Sequence, residues 1–222
     1  MDATPSSNRW TVAIIYSVFF LSALLYRIEL LEKVLNVLSG PFLIVVACYL
    51  WYIVRRQYVS QSERFHFTVF SASIVIAGYA IEAISVKTGW LFGSYTHSNI
   101  MQPQIDGVPI AVGFSLYTAF ICSHAISQRF IPISSKTDPI FRIIITGLFM
   151  VFFDHLAEPS IAKLGFWHWE NGVPIQNFIG WFFVGLLFAT AGTLSRTFNR
   201  KITRIAIHLY FAHISFFTII IV

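Results

Sequence analysis

The sequence predicts an all-α membrane protein in which about seven helices cross the bilayer as one bundle. Apolar residues make up 56% of the 222 residues and charged residues only 11%, whereas soluble domains carry about 25% charged residues. The apolar residues also fall into runs of about 20, the length that crosses roughly 30 Å of hydrocarbon. No soluble domain is left between these runs, so we treat residues 1–222 as a single integral-membrane domain.

Seven apolar segments are predicted to be the membrane helices. In chain order they cover residues 10–26, 34–54, 65–86, 108–127, 140–164, 178–194 and 205–222. The fifth segment is polar in its last third, and the fourth and sixth each follow a Gly-Val-Pro motif. The first ten residues, "MDATPSSNRW", lack the basic region and cleavage site of a secretory signal. We expect them to form a short polar head on the first helix.

Positive charge predicts which side of the membrane each connection occupies. If the segments alternate in direction, eleven of the 15 Lys and Arg residues fall on one side. These are Arg9, Arg55, Arg56, Arg64, Arg129, Lys136, Arg142, Arg196, Arg200, Lys201 and Arg204. Cytoplasmic loops carry the excess of Lys and Arg, so this side is predicted to be cytoplasmic, with the N-terminus inside and the C-terminus outside. The long loops after the third and fifth segments then share the outer face.

Other classes of site have little support in the sequence. The +5 charge lies in short loops, as membrane topology requires, so nucleic acid is not an expected partner. Cys48 and Cys122 lie inside apolar runs and are read as small buried residues. His208 and His213 are five residues apart in the last segment, without metal-ligand spacing, and are read as packed residues. No metal or cofactor is predicted.

A weak internal repeat relates the third and fourth segments to the fifth and sixth. "EAISVKTGW" from Glu82 resembles "EPSIAKLGF" from Glu158, with the same spacing from Glu to Gly. "DGVPI" from Asp106 and "NGVPI" from Asn171 then open the following segments. Two helices per copy make the predicted repeat parallel, and such symmetry often surrounds a site in membrane proteins. The alternative is that Gly-Val-Pro is ordinary turn chemistry.

The fifth segment carries two carboxylic acids toward its predicted outer end. Asp154 and Glu158 are four residues apart and share one helical face. Apolar surroundings and a second carboxylate both disfavour ionisation, so the pair is expected to keep at least one proton. Glu82 is the repeat-related third acid. Pro159 is predicted to kink the helix, and His155 lies about a quarter-turn from the acids, where it would tune them or bond to a neighbouring helix. The alternative role of the cluster is interhelical hydrogen bonding alone.

Aromatic residues crowd the two outer loops and the start of the sixth segment. They are Trp90, Phe92, Tyr95 and His97; Phe166, Trp167 and Trp169; and Phe178, Trp181, Phe182 and Phe183. An aromatic belt at the membrane surface would explain any one of them. Their concentration on the face that carries the acids instead favours a binding site, because aromatic faces stabilise cations without reacting with them.

These blocks together resemble a known family. "DHLAEPSIAKLGFWHWENGVPIQNFIGW" is similar to the signature of the integral-membrane carotenoid biosynthesis family, whose characterised members are carotenoid hydratases. The matching positions are Asp154, Pro159, Gly165, Trp167, Trp169, Gly172, Pro174, Asn177 and Trp181, and in the first block Glu82, Gly89, Phe92, Gly93, Tyr95, Gly107 and Pro109. The resemblance covers residues 65–195. His97 replaces an expected second Tyr, and Phe114 or Tyr117 an expected Trp, which bears on substrate choice.

The resemblance implies a hydro-lyase that adds water across the terminal carbon–carbon double bond of an acyclic carotenoid, without a cofactor. In the mechanism we infer, Asp154 protonates the alkene, and Glu158 or Glu82 positions or deprotonates the water. The side chains expected to hold the substrate are Trp90, Phe92, Tyr95, His155, Trp167, Trp169, Asn177 and Trp181. The expected partners are the carotenoid, water, membrane lipid and other enzymes of the carotenoid pathway.

Two other functions remain open from the sequence. A carotenoid cyclase of the lycopene type begins with the same protonation, but an internal double bond captures the cation instead of water. A proton-coupled transporter would use the same buried acids and repeat, yet it needs a polar path to both faces, and the inner halves of the central segments are nearly all apolar. We expect a multi-pass protein of the plasma membrane.

Overall fold

The computed structural model describes residues 9–131, 138–198 and 200–222, and it contains seven α-helices in that part of the chain. They are α1 (Arg9–Arg27), α2 (Glu32–Arg55), α3 (Gln61–Thr88), α4 (Ala111–Phe130), α5 (Asp138–Lys163), α6 (Ile175–Leu194) and α7 (Arg204–Ile221). Each coincides with one predicted segment to within a few residues, which confirms the all-helical bundle. Residues 1–8 of the predicted polar head lie outside the described residues, as does Lys136, which was predicted for the cytoplasmic side; the last two residues of the head, Arg9 and Trp10, belong to α1.

Six of the seven helices are long and apolar enough to cross a membrane, so the chain is an integral membrane protein. α4 does not belong to these six, and its position explains why. It packs against α2, α3, α5 and α7, and most of its side chains are buried. Among them are Ser123, His124 and Gln128, so the inner half of this segment, contrary to the expectation from the sequence, is not nearly all apolar. A helix surrounded by other helices has no lipid-facing side to keep apolar, so it can carry polar residues.

The connections after α3 and α5 contain four short strands that were not predicted from the sequence. They are β1 (Tyr95–His97), β2 (Gln104–Ile105), β3 (Val108–Pro109) and β4 (Trp167–Trp169). β1 pairs antiparallel with β4, and β2 pairs antiparallel with β3. Strands of two or three residues are too short to show the alternation on which strand prediction depends. The β1–β4 pair joins the loop after α3 to the loop after α5.

That strand pair confirms that the two motif-rich loops lie on the same side of the bundle. On the opposite side, the Gln57 amide donates to the Lys201 carbonyl over 3.2 Å, and Arg129 donates to the Ile202 carbonyl over 2.9 Å. These hydrogen bonds join the α2–α3 connection and the end of α4 to the α6–α7 connection. α5 continues through Pro159 to Lys163, so this proline does not end the helix.

Candidate active site

One face of the β1–β4 pair carries four polar aromatic side chains. Tyr95 and His97 occupy the first and third positions of β1, and Trp167 and Trp169 occupy the first and third positions of β4. Tyr95 lies opposite Trp169, and His97 lies opposite Trp167. Alternate residues of a strand point to the same face, and the rings are in contact: the Tyr95 and Trp169 centroids are 4.7 Å apart, and those of His97 and Trp167 are 5.7 Å apart. The β1–β4 pair therefore places a row of side-chain hydrogen-bond donors next to the ends of α3 and α5.

Glu158 of α5 accepts from the two tryptophans of this row. Trp167 Nε1 and Trp169 Nε1 donate to its Oε2 atom over 3.1 Å and 2.8 Å. Its Oε1 atom lies 3.4 Å from Asn177 Nδ2, which donates more strongly to Asp154 Oδ2 over 2.5 Å. Both carboxyl groups are buried. Because indole N–H groups only donate, the Glu158 oxygen that they share is an acceptor and carries no proton.

Glu82 of α3 is held in the same way by the other strand. Tyr95 Oη donates to Glu82 Oε1 over 2.7 Å, and His97 Nε2 lies 3.1 Å from the same oxygen. Burial raises the pKa of the Tyr95 phenol. Tyr95 therefore stays protonated as a donor. Within the described residues, no hydrogen bond involves the other oxygen of Glu82, Oε2.

A cavity of about 290 Å³ lies beside this cluster and reaches between α1, α2, α4 and α7. Its wall is mostly aliphatic and aromatic, with Phe19, Phe42 and Phe217 among its rings. Along α1 the lining runs from Val18 to Tyr26, eight residues or about 12 Å at the helical rise. Glu82 is part of this wall, so its side chain borders a space suited to an apolar molecule.

The structure brings together most, but not all, of the residues predicted to form the site. Trp167 and Trp181 line the cavity with Glu82, while Asp154 and Glu158 do not belong to its lining. Phe92 is buried against Trp181, with ring centroids 6.2 Å apart. These side chains, with Tyr95, Trp169 and Asn177, form one connected cluster at the helix ends next to the β1–β4 pair.

Trp90 and His155 lie outside this cluster. Trp90 is 73% exposed, because it directly follows Gly89, which ends α3 in a left-handed conformation. His155 is exposed and packs edge-on against Phe178 at 5.4 Å. The step from one helical residue to the next is about 100°, which turns His155 away from the face that carries Asp154.

The residues of α1, α2 and α7 that line the cavity were not predicted from the sequence. Among them are Phe19, Phe42, His213, Phe216 and Phe217. An apolar side chain that lines a cavity looks the same in sequence as one that faces lipid. No signal in the chain marks these residues, apart from the histidine in an otherwise apolar segment.

The site is that of a helical membrane protein in which carboxyl groups gather beside an apolar cavity, an arrangement suited to acid chemistry on a hydrophobic molecule. Residues 32–222 match the family described as carotenoid biosynthesis protein. The chain belongs to this family.

A curated relative carries a more specific name. The chain is 25% identical over 118 residues to the bisanhydrobacterioruberin hydratase of Haloarcula japonica. The alignment covers 51% of this chain and 40% of that relative, so the chain matches less than half of the relative's length. No solved structure matches the chain.

Proposed function

We propose that this protein is a carotenoid hydratase, which adds water across the terminal carbon–carbon double bond of an acyclic carotenoid. The observation that carries this proposal is the Glu82 side chain on the wall of a mostly apolar cavity. One end of a long hydrocarbon suits such a cavity, and its terminal alkene reacts only after protonation. The name of the relative, a hydratase, supports water rather than another nucleophile.

The geometry favours Glu82 as the proton donor in place of Asp154. In a neutral carboxyl group with its proton on Oε2, Oε1 accepts from Tyr95 and His97, and the O–H group is left for the substrate. When the proton moves to the alkene, Oε1 shares the new negative charge, and both hydrogen bonds become charge-assisted and stronger. Donors already in place where charge develops lower the barrier to proton transfer.

In this proposal, Asp154 and Glu158 set the negative charge of the site. Both oxygens of Glu158 accept hydrogen bonds, Oε2 from the two indole N–H groups and Oε1 from Asn177, whereas Glu82 has one oxygen free for a proton; this favours an ionised carboxylate at Glu158. A second ionised carboxylate on the same asparagine would be strongly disfavoured, so Asp154 is the neutral member of the pair. The pair carries one negative charge, which stabilises the tertiary carbocation formed after protonation. The Trp167 and Trp181 rings on the cavity wall add cation–π stabilisation.

The substrate reaches the cavity from the lipid between α1 and α2 in this proposal. Val18 of α1 and Leu38 of α2 both line the cavity, and both are exposed on the surface, at 39% and 52%. A carotenoid dissolved in the bilayer then enters without crossing water.

The two helix pairs α3–α4 and α5–α6 are proposed to be copies of one unit. Glu82 accepts from two side chains of the strand that follows α3, and Glu158 accepts from two side chains of the strand that follows α5. The same relation between acid, strand and helix in both halves supports the repeat inferred from the sequence. We also propose the plasma membrane as the location, with the acid cluster on its outer face.

Expression in a bacterial host that makes lycopene, with bisanhydrobacterioruberin supplied in parallel, tests the proposal. Mass analysis of the pigments is expected to find one added water per modified end. Glu82→Gln keeps the size of the side chain but has no proton to give, so we expect at least a 100-fold loss of product, the upper range of general acid catalysis being about 10⁴-fold. A cyclised pigment of unchanged mass, or no change of pigment at all, would overturn the hydratase assignment.

A further inference from the structure

His213 of α7 is the imidazole on the wall of the cavity. The residue is 5% exposed and is surrounded by aromatic rings, with the Phe19 centroid at 4.4 Å and the Phe153 centroid at 5.5 Å. Phe19 and Phe217 line the same cavity. A buried polar group in such surroundings is unfavourable unless it binds a partner.

The hydrogen bond of His213 to its own helix decides which ring nitrogen is free. Nδ1 lies 2.8 Å from the Leu209 carbonyl oxygen. A carbonyl oxygen only accepts, so the hydrogen atom of the neutral ring is on Nδ1, and Nε2 is a bare acceptor. Within the described residues, Nε2 has no hydrogen-bond partner. Because His213 lines the cavity, Nε2 is the ring nitrogen left to bind a molecule there.

We infer that His213 binds the water molecule that adds to the carotenoid and accepts its proton. This inference rests on the proposed hydration. In the reaction, the Glu82 O–H bond breaks and a C–H bond forms, which leaves a carbocation and the Glu82 carboxylate. The oxygen of the water forms the C–O bond, and its O–H bond breaks as Nε2 takes the proton. A second water molecule carries that proton back to Glu82, so both side chains return to their starting state.

The position of His213 also accounts for the choice between products. A tertiary carbocation in a dry cavity returns its proton or reacts with another double bond of the same molecule. Most of the other lining residues are apolar, so water has few places to bind near the reacting carbon. An acceptor on the aromatic wall holds one water there and favours the alcohol.

The test separates protonation of the alkene from the addition of water. Membranes with the enzyme are incubated in D₂O with lycopene and with bisanhydrobacterioruberin, and the pigments are analysed by mass. His213→Phe replaces the imidazole by a ring that suits its aromatic neighbours. We expect hydrated product to fall about 100-fold, the loss typical of a missing general base, while deuterium still enters the recovered alkene through reversible protonation.

His213→Gln provides a second variant, since its amide oxygen binds water but does not take a proton at neutral pH. It is expected to retain deuterium exchange and to hydrate poorly. His208→Phe is the matched control, because His208 lies on the same helix, packs against Tyr16 and is not part of the cavity lining. It should hydrate like the wild type.

Two results would overturn the role of His213. One is hydration at the wild-type rate in both variants. The other is a loss of deuterium exchange together with hydration in both variants, because the residue would then serve protonation or folding. A wild-type enzyme that exchanges deuterium but forms no hydrate would instead contradict the proposed function.

Discussion

Each glutamate of the cluster accepts hydrogen bonds from two side chains of the strand that follows its own helix. For Glu82 these are one phenol and one imidazole, and for Glu158 they are two indoles. Indole N–H groups fix one oxygen of Glu158 as an acceptor, and Asn177 bonds the neighbouring Asp154. The two glutamates therefore have different surroundings, and only Glu82 reaches the cavity wall.

The Asp154→Asn variant tests which acid is the proton donor. The sequence predicted Asp154, whereas the geometry of the site favours Glu82. The new amide has the shape of a protonated carboxyl group, and its oxygen still accepts from Asn177. We therefore expect the variant to fold and to keep its activity within about 10-fold, which corresponds to a barrier change of about 1.4 kcal/mol. Hydrated pigment per amount of protein, compared with the Glu82→Gln variant, measures this. A loss as large as that of Glu82→Gln would return the donor role to Asp154.

Glycines determine how closely the helices and the outer loops approach each other. An added Cβ atom at Gly113 of α4 would lie 2.5 Å from the Val75 carbonyl oxygen of α3, and one at Gly185 of α6 would lie 2.8 Å from Gly147 Cα of α5. Such distances leave no room for a side chain. The α3–α4 and α5–α6 pairs therefore pack nearly backbone to backbone, and this sets the positions of the acids that α3 and α5 carry.

Gly180→Ala tests the contact between α6 and the loop that leads to β1. A Cβ atom there would lie 2.7 Å from Phe92 Cδ1 and 2.8 Å from the Leu91 carbonyl oxygen. The loop must move, and with it Tyr95, so we expect a loss of about 1–3 kcal/mol in stability together with reduced hydration. The midpoint of thermal unfolding in detergent measures the first effect, and pigment analysis measures the second.

Gly78→Ala is the matched control on α3. Its added Cβ atom would meet the Leu116 side chain at 3.4 Å, which is close to an ordinary contact. The control should unfold within a few degrees of the wild type. An equal loss of stability in both variants would mean that the approach of α6 to the Phe92 loop has no special importance.

At the scale of the whole molecule, the direction of insertion decides whether the acid cluster meets the outside or the cytoplasm. The excess of Lys and Arg lies at the ends of the helices opposite the cluster. The positive-inside rule therefore predicts that β1 and β4 face outward.

Introduced cysteines test this orientation in intact cells. Single cysteines are introduced by Glu170→Cys and by Ser62→Cys into a Cys48→Ser variant. Glu170 follows β4, Ser62 lies at the start of α3, and both residues are exposed. A thiol reagent that does not cross membranes should label Glu170→Cys and leave Ser62→Cys unlabelled until the cells are permeabilised. The reverse pattern would place the acids on the cytoplasmic side.

Local sequence patterns were sufficient to predict the number of helices, their approximate ends and the common side of the two motif-rich loops. These follow from lengths of apolar sequence and from the alternation of direction, which are properties local to each segment. The sequence also identified three acids that gather near the β1–β4 pair. The family resemblance drawn from the same residues is confirmed by the match over residues 32–222.

The packing of the helices was needed to show which acid lines the cavity and which residues from distant helices complete it. Glu82 and Asp154 look alike in sequence, because each is one carboxyl group in an apolar helix. The cavity arises from side chains of α1, α2 and α7, and an apolar residue facing a cavity has the same composition as one facing lipid. The central position of α4 and the strand pairing of β1 with β4 likewise depend on contacts between segments far apart in the chain, which no local pattern records.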